Sequence, residues 1–304
     1  YDFLNENSIS NIPFKELPNI EPNYFFAVKD FDEQVEYSKG FSVSELFKIN
    51  NVGIVTSKDA ILINERKEAL VNNVSDYYSI EVNEKLIQKI SYRPFDDKLV
   101  YYDTKIIERA REKVMQHLLK GKNIGLVVGR QSTDDYWCNV QLSTSLIDNR
   151  FHFSYKGISS IFPLYLYQES PKQKTIDGII ERTPNLNSEI IQDISTKLNM
   201  PFTSEEIDAE NTFAPIDLLD YIYAVLHNPC YRKKYKEFLK IDFPRVPYPT
   251  DADKFWKLVA LGKELREIHL LESPKVNEYI TEYLGDGDNI VGKPIYKNGS
   301  VYIN

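Results

Sequence analysis

The sequence predicts a mixed α+β fold, with a strand-rich core and a mainly helical C-terminal part. Two patterns and the composition predict it. Short apolar runs of strand length crowd the middle of the chain, notably NIGLVV at 123–128 and SIFPLYLY at 160–167. Apolar residues at helical spacing, bounded by capping residues and prolines, take over after residue 187. Of the 304 residues 42% are hydrophobic and 27% charged, a globular balance rather than a disordered one. At roughly 100–200 residues per domain, the length suits two domains or one large one with appendages.

Residues 1–60 read as loops and short strands, because Pro13, Pro18 and Pro22 interrupt any helix. YFFAV at 24–28 and VGIVT at 52–56 are the strand candidates. Helical patterns follow at 64–74 and 81–90. SYRPFDDKLVYYD at 91–103 predicts two strands around a tight Asp96-Asp97 turn, since Asp can hydrogen-bond its own backbone there. The first strong helix is expected over 105–120. Ile106, Ala110, Val114, His117 and Leu118 recur at helical spacing, and Gly121 stands where a C-cap belongs. The strand at 123–128 ends at Gly129-Arg130, residues 131–167 continue strand-rich, and 168–186 are polar and loop-like. Asn187 or Ser188 caps a helix over 189–199, and helices over 215–227 and 231–240 are separated by Asn228-Pro229. Three prolines make 242–250 extended. Asp251 or Asp253 caps the longest helix, 253–272, whose apolar stripe runs through Phe255, Leu258, Val259, Leu265 and Ile268. A Gly-marked turn and a strand pair are expected over 285–304.

What is missing narrows the function. No run of 18 apolar residues reaches spanning length, and no signal-peptide pattern opens the sequence. The first residue is Tyr1 rather than Met, so the chain is expected to be a piece of a longer protein. Cys138 and Cys230 are too few for a disulfide framework, which fits a reducing cytoplasm. There is no P-loop, and the GDG at 285–287 follows a helical pattern, so it reads as a turn rather than a dinucleotide loop. His117, His152, His227 and His269 match no metal-ligand spacing and read as packed residues. No Gly-x-Ser-x-Gly elbow appears, and neither cysteine has a histidine near it in sequence. One enzymatic alternative is a metal-dependent nuclease. Asp103-Thr104-Lys105, with Asp96 and Asp97 upstream, resembles a site in which carboxylates hold Mg²⁺ and Lys105 steadies a nucleophilic water. Such triplets often arise by chance among 45 acidic residues, and Asp103 is better explained as the N-cap of the following helix.

The net charge of −8 excludes a globally basic nucleic-acid binder but not a local basic face. Residues 105–122 carry six Lys/Arg against two Glu, and 230–240 carry five against Glu237, while 203–220 hold six acids and no base. Two compact basic patches on an acidic chain suit a phosphate-tracking face, although basic helices are also ordinary solvated surfaces. The polar run Gln131-Ser132-Thr133-Asp134-Asp135 directly follows a buried strand and Arg130. Arg and Gln are side chains that read guanine and adenine edges, and a plain hairpin turn is the competing reading. The 21 tyrosines add rings that stack and donate a hydrogen bond, with Tyr165, Tyr221 and Tyr223 assigned to the core.

YRPFD at 92–96 with Tyr101-Tyr102 resembles the signature of certain adenine-specific DNA methyltransferase polypeptides. The resemblance continues through Gly53-Ile54-Val55-Thr56 with Asp59, Ala110-Arg111, Val114-Met115, NIGLVVGRQ at 123–131 and FPLYLY at 162–167. It returns at DYIYAVLH (220–227), Tyr231-Arg232, Tyr235, DFPRVP (242–247), Leu261-Gly262, Leu265-Arg266 and HLLE (269–272). Together these blocks, spread over about 20–272, are similar to the C-terminal specificity region of type ISP restriction-modification enzymes and related helicase–methyltransferase polypeptides. In that family one chain carries nuclease, ATP-dependent motor, methyltransferase and target recognition domains in order. The Asn/Asp-Pro-Pro-Tyr motif and the Gly-rich S-adenosylmethionine loop of the methyltransferase are absent from this sequence.

The resemblance implies a sequence-specific DNA recognition domain with no catalytic residues and no cofactor of its own. S-adenosylmethionine, ATP and Mg²⁺ are implied for the parent enzyme. The implied partners are double-stranded DNA and the upstream methyltransferase, motor and nuclease domains of the same polypeptide. Residues 1–90 are expected to form a small α/β segment adjoining the methyltransferase. Residues 91–304 are expected to form the recognition domain, strand-rich over 91–167 and helical over 187–272. Arg93, Lys120, Lys122, Arg130, Gln131, Ser132, Thr133, Arg232, Lys233 and Lys234 are the candidate DNA contacts. Arg93 is alternatively a buried residue needing a carboxylate, with Asp96 the nearest in sequence. A coupling scaffold that binds no DNA is the remaining alternative.

Overall fold

The computed structural model describes every residue except 1, 9, 15, 18, 20–30, 133–135, 153–157, 169–180, 208–210, 280–293 and 303–304. The strand expected at 24–28, the turn at 285–287 and most of the loop at 168–186 lie outside the described residues. Along the chain run β1 (Phe41–Ser42), β2 (Asn51–Val52), β3 (Ile63–Asn64), β4 (Ile87–Arg93), β5 (Asp96–Tyr101), β6 (Gly125–Gly129), β7 (Val140–Ser143), β8 (Leu146–Ile147) and β9 (Ser159–Pro163). β10 (Tyr165–Tyr167), β11 (Arg182–Pro184), β12 (Arg245–Val246), β13 (Ile295–Lys297) and β14 (Ser300–Tyr302) follow. The helices are α1 (Asp2–Glu6), α2 (Phe31–Ser38), α3 (Val43–Leu46), α4 (Asp59–Leu62), α5 (Lys67–Tyr78), α6 (Glu112–Leu119), α7 (Ser188–Leu198), α8 (Pro215–His227), α9 (Pro229–Lys234), α10 (Lys236–Leu239) and α11 (Ala252–His269).

Two four-stranded sheets occupy the middle of the fold. One has the order β2-β9-β6-β7 and is antiparallel throughout. The other has the order β3-β5-β4-β8, with only β4 and β8 parallel. This is the α+β arrangement the sequence predicts. Strands from both sides of residue 90 share ladders: β1 with β12, β2 with β9 and β3 with β5.

Every residue of β6 and of β9 is buried. Successive side chains of a strand point to opposite faces, and here each face meets its own core. Leu126 and Val128, with Phe162 across the ladder, enter a core closed by Ile190 and Ile194 of α7, Leu218 and Ile222 of α8, and Phe255 and Val259 of α11. Val127 and its partner Ile161 enter the other core, with Leu70 and Val74 of α5, Ile90, Val100, Val114 and Met115. An antiparallel sheet usually leaves one face to water and reads as alternating; this one reads as a continuous apolar run because neither face is free.

The helical half follows its sequence signals closely. Asn187 caps α7 through Glu189 N, Asn228 caps α9 through Cys230 N and Tyr231 N, and Asp251 caps α11 through Lys254 N. Among the described residues no helix is long and apolar enough to cross a membrane. α8 and α11 pack so closely that a Cβ on Gly262 would collide with the carbonyl of Asp220. One turn further along α11, Arg266 holds the buried Asp220 carboxylate with two hydrogen bonds, Nε to Oδ1 at 2.7 Å and Nη2 to Oδ2 at 3.0 Å.

Four expectations are corrected. Residues 81–90 are not helical: Asn83 caps a short 3-10 turn, Glu84–Leu86, and Ile87 begins β4, because pairing along the whole of β5 outweighs local helical spacing. The β4–β5 turn falls at Pro94-Phe95, with Phe95 at φ 62°, and Asp96 already belongs to β5. The helix expected over 105–120 starts only at Glu112. Arg109 exchanges two backbone hydrogen bonds with Val55 (3.0 and 3.1 Å), and Arg111 takes φ 55°, so 104–111 leave the helical path. Gly121 is not a left-handed cap; an added Cβ would come within 2.7 Å of the Tyr167 hydroxyl oxygen, so it is the close approach of that ring that requires glycine.

Two substitutions are expected to measure the α8–α11 contact. Gly262→Ala should destabilise the fold by about 1–3 kcal/mol through overpacking, and Arg266→Ala by about 3–5 kcal/mol by stranding Asp220. Denaturant unfolding of the single variants checks both. Equal midpoints for wild type and Gly262→Ala would show that the helices can separate freely.

Candidate nucleic-acid interface

The strand β6 delivers Arg130 to the surface. Gly129 ends the ladder with its N–H on Asn139 O (2.9 Å), and Arg130 emerges 62% exposed. Its Nε donates to Asp242 Oδ1 at 2.8 Å, and its guanidinium lies 5.9 Å from the Phe243 ring. Gln131 is exposed, while Ser132 is buried and its N–H donates to Lys240 O at 3.3 Å. Thr133 lies outside the described residues. Tyr136 is exposed and Trp137 buried.

The basic segment on α9 and α10 comes to this same place. Arg232 is buried, donates from Nε to Leu226 O at 2.6 Å, and lies 5.6 Å from the Trp137 ring and 6.0 Å from the Tyr136 ring. Lys233 is exposed, and Lys234 pairs with Glu36 at 2.6 Å. The structure therefore joins two candidate clusters about 100 residues apart in sequence: the loop after β6 and residues 229–242. Arg232 is expected near the start of a helix as a DNA contact; the fold places it on α9 with its side chain turned inward against Trp137.

Lys120 and Lys122 stand at the opposite end of β6, roughly 20 Å away at strand rise. Lys120 Nζ donates to Gln116 Oε1 (2.6 Å) and to Gln168 O (3.3 Å). The Lys122 carbonyl accepts from Tyr167 Oη (2.6 Å) and Arg182 Nη1 (2.9 Å), and the residue is exposed. Lys122 lines a cleft of about 740 Å³ between the first sheet and α8 and α11, together with Arg182, Asp217, Asp220, Lys263 and Arg266. These lysines share a ligand with Arg130 only if it runs along the strand.

Arg93 pairs with Asp148, not with Asp96. Nη1 lies 2.8 Å from Asp148 Oδ1, and the guanidinium sits 4.0 Å from the Tyr92 ring. The parallel β4–β8 ladder ends at Ser91 and Ile147, and so brings Arg93, two residues on, within reach of Asp148, which directly follows Ile147. Burial pushes the Asp148 carboxyl above the usual carboxylate range, while the Arg150 backbone N–H and the Arg93 charge pull it down. Asp96 lies 3.6 Å from Lys98.

The nuclease grouping does not assemble. Asp97 pairs with Lys89 at 2.8 Å and accepts from Ser91 Oγ at 2.8 Å. Asp103 lies beyond the far end of β5, roughly 20 Å from Asp96 and Asp97 at strand rise. It accepts from the Lys105 N–H (2.9 Å), so it caps a turn rather than a helix. Among the described residues no three His, Cys, Asp or Glu side chains come together as a metal site.

A family model described as the Type ISP C-terminal specificity domain matches residues 76–304. The chain belongs to that family. Three solved structures share the fold of this specificity domain. A DrdV–DNA complex matches with a TM-score of 0.67 at 19% identity, covering 88% of this chain and 29% of the other. The ATP-dependent Type ISP restriction-modification enzyme LlaBIII bound to DNA matches with a TM-score of 0.62 at 20% identity, covering 88% and 19%. A nuclease-deletion mutant of the Type ISP restriction-modification enzyme LlaGI, in complex with a DNA substrate mimic, gives 0.63 at 20% identity, covering 97% and 29%. This chain thus spans less than a third of each of those chains. No curated protein matches the sequence.

The histidines of the specificity domain are packed, as the sequence reading assigns them. His117 Nδ1 accepts from Tyr167 N at 3.0 Å. His227 Nδ1 donates to Tyr223 O at 2.9 Å, and His269 Nδ1 shares a 2.5 Å hydrogen bond with the Tyr223 hydroxyl, which also reaches Gln141 Oε1 at 3.0 Å. Tyr165, Tyr221 and Tyr223 are buried, as expected. Burial holds His152 down to about 3 and His227 down to about 4, against an ordinary 6.5.

Both depressed values favour the neutral ring in the fold. Their stabilisation is therefore complete above pH 6.5 and is lost as pH falls from there towards 4 and then 3. The unfolding midpoint is expected to drop between pH 6.5 and 4, and His152→Gln should flatten that drop; a flat wild-type profile in this window would contradict it. Arg93→Ala, which strands Asp148, is expected to cost about 3 kcal/mol in denaturant unfolding. A variant of wild-type stability that has lost DNA binding would instead make Arg93 a contact.

Proposed function

We propose that this domain selects the DNA target of a restriction-modification adenine-N6 methyltransferase and holds that DNA for methylation and cleavage by other domains of the same polypeptide. The family match over residues 76–304 carries the reading. Structures that share the fold are, by their own descriptions, complexes with DNA. In this reading the domain has no catalytic step of its own. S-adenosylmethionine, ATP and Mg²⁺ act in the rest of the polypeptide, in the cytoplasm, and residues 1–90 adjoin the methyltransferase.

The arrangement at the end of β6 supports the assignment of the reading residues. A strand buried on both faces fixes the position of Arg130 and Gln131. The Arg fork matches guanine O6 and N7, and the Gln amide matches adenine N6 and N7. The Arg130–Asp242 pair is exposed on both sides, 62% and 59%, so giving it up for a base edge costs at most about 1 kcal/mol. Lys233 adds an exposed charge beside this loop for a phosphate.

Comparison of Arg130→Ala with Lys233→Ala in the full polypeptide, across salt concentrations and single-base target variants, tests the assignment. Arg130→Ala is expected to cost about 1–3 kcal/mol on the target and to relax preference at one position. Lys233→Ala should weaken all sequences alike and lower the salt slope by about one. If neither changes affinity or sequence choice, the DNA face lies elsewhere on the domain. Absence of DNA binding by the wild type at low salt would favour the coupling scaffold.

A further inference from the structure

Arg232 is a buried cation without a counter-charge. Only 8% of the residue is exposed, its Nε is used by Leu226 O, and its Nη2 is buried with no hydrogen-bond partner. Among the described residues no carboxylate lies within ion-pair reach of it. Arg93, Arg266 and Arg182, all less deeply buried, are neutralised by Asp148, Asp220 and Glu205, whereas the half-buried Arg111 also has a buried Nε without a partner; among the described arginines only Arg232 is fully buried. A buried charge is costly unless it is paired, so the exception needs a cause. Two further buried donors without partners lie on the stretch beside it, Trp137 Nε1 and Asn139 Nδ2. Gly129, the last residue of β6, donates to Asn139 O, so this stretch flanks the loop that starts at Arg130.

We propose that Arg232 is the seat of a DNA backbone phosphate, which supplies the negative charge and the acceptor oxygens that the fold leaves out at this point. The proposal rests on the DNA-recognition reading and deepens it. Arg232 Nη2 and the N–H of the Trp137 ring packed against it are donors only, which suits an oxyanion. A water molecule could satisfy the hydrogen bonds but not the charge. The unneutralised guanidinium is felt nearby, where its charge adds to burial in holding His227 and His269 below the ordinary histidine range. Of the two rings against it, Trp137 is buried and Tyr136 is 63% exposed. Movement of that one surface ring would open the guanidinium towards a duplex lying on Arg130 and Gln131. The phosphate contact carries no sequence information; it fixes where the duplex lies while the loop reads it.

The test uses the full polypeptide and a pool of random-sequence duplexes, because a phosphate contact does not depend on the target. Arg232→Met keeps most of the stem against Trp137 and removes the charge. It is expected to bind duplex about tenfold more weakly, with a salt slope lower by about one, while remaining folded by circular dichroism. Wild-type affinity and an unchanged salt slope in this variant overturn the proposal and leave the DNA-recognition reading standing; a wild type that binds no duplex overturns both. Should Arg232→Met not fold, Trp256→Phe decides, since it leaves Trp137 as the sole tryptophan of this chain. Labelling with 5-fluorotryptophan marks every tryptophan of the polypeptide, and the Trp137 fluorine resonance is assigned as the one that Trp137→Phe removes. Duplex binding is expected to shift the Trp137 resonance, and binding that leaves it unmoved overturns the proposal.

Discussion

The strand β6 is the constraint on which the rest of the molecule depends. It lies between two cores, with Leu126 and Val128 on one side and Val127 on the other. Neither face can accept a polar residue without leaving it unpaired in an apolar interior, so the strand is pinned in register as well as in place. Its neighbours β9 and β7 inherit that register through ladders that run opposite Gly125 to Gly129. Helices α7, α8 and α11 close one face, and the second sheet with α5 and α6 closes the other. What emerges at the end of such a strand is held by both halves of the fold at once.

Electrostatics then distinguishes positions that composition alone would group together. Arg93 and Arg266 are tied to buried carboxylates and belong to the framework. Arg130 holds an exposed carboxylate that it can leave, since surface pairs contribute little. Arg232 is more deeply buried than the first two but is left without a partner of opposite sign. Equal charges in one basic stretch, such as Arg232, Lys233 and Lys234, thus end in three settings: an aromatic-lined interior, open solvent and an ion pair with Glu36.

The sequence made legible whatever is decided locally. The run at 123–128 announced a buried strand, the Asn and Asp caps announced α7, α9 and α11, and the spacing of Phe255 and Val259 announced the buried stripe of α11. Illegible were the features set by residues far apart. The bridge between Val55 and Arg109 erases helix before Glu112, and the β4–β5 ladder turns 87–90 into strand. The partners of Arg93 and Arg130, Asp148 and Asp242, are 55 and 112 residues away, and no local pattern marks them. Beside the polar run, the Tyr136-Trp137 pair is a further signal in the sequence that this loop holds more than a turn, and the inward path of Arg232 against both rings accounts for it.

The placement of Arg130 and Gln131 one step beyond the last buried residue of β6 has an evolutionary consequence. Residues inside the strand answer to two cores and tolerate almost no change of volume or polarity. The positions just past it answer mainly to solvent and to whatever lies on the surface. A lineage can therefore try new side chains at the tip without jeopardising the folding of the body. Under the DNA-recognition reading, drift in target preference and conservation of architecture become compatible in a single short segment.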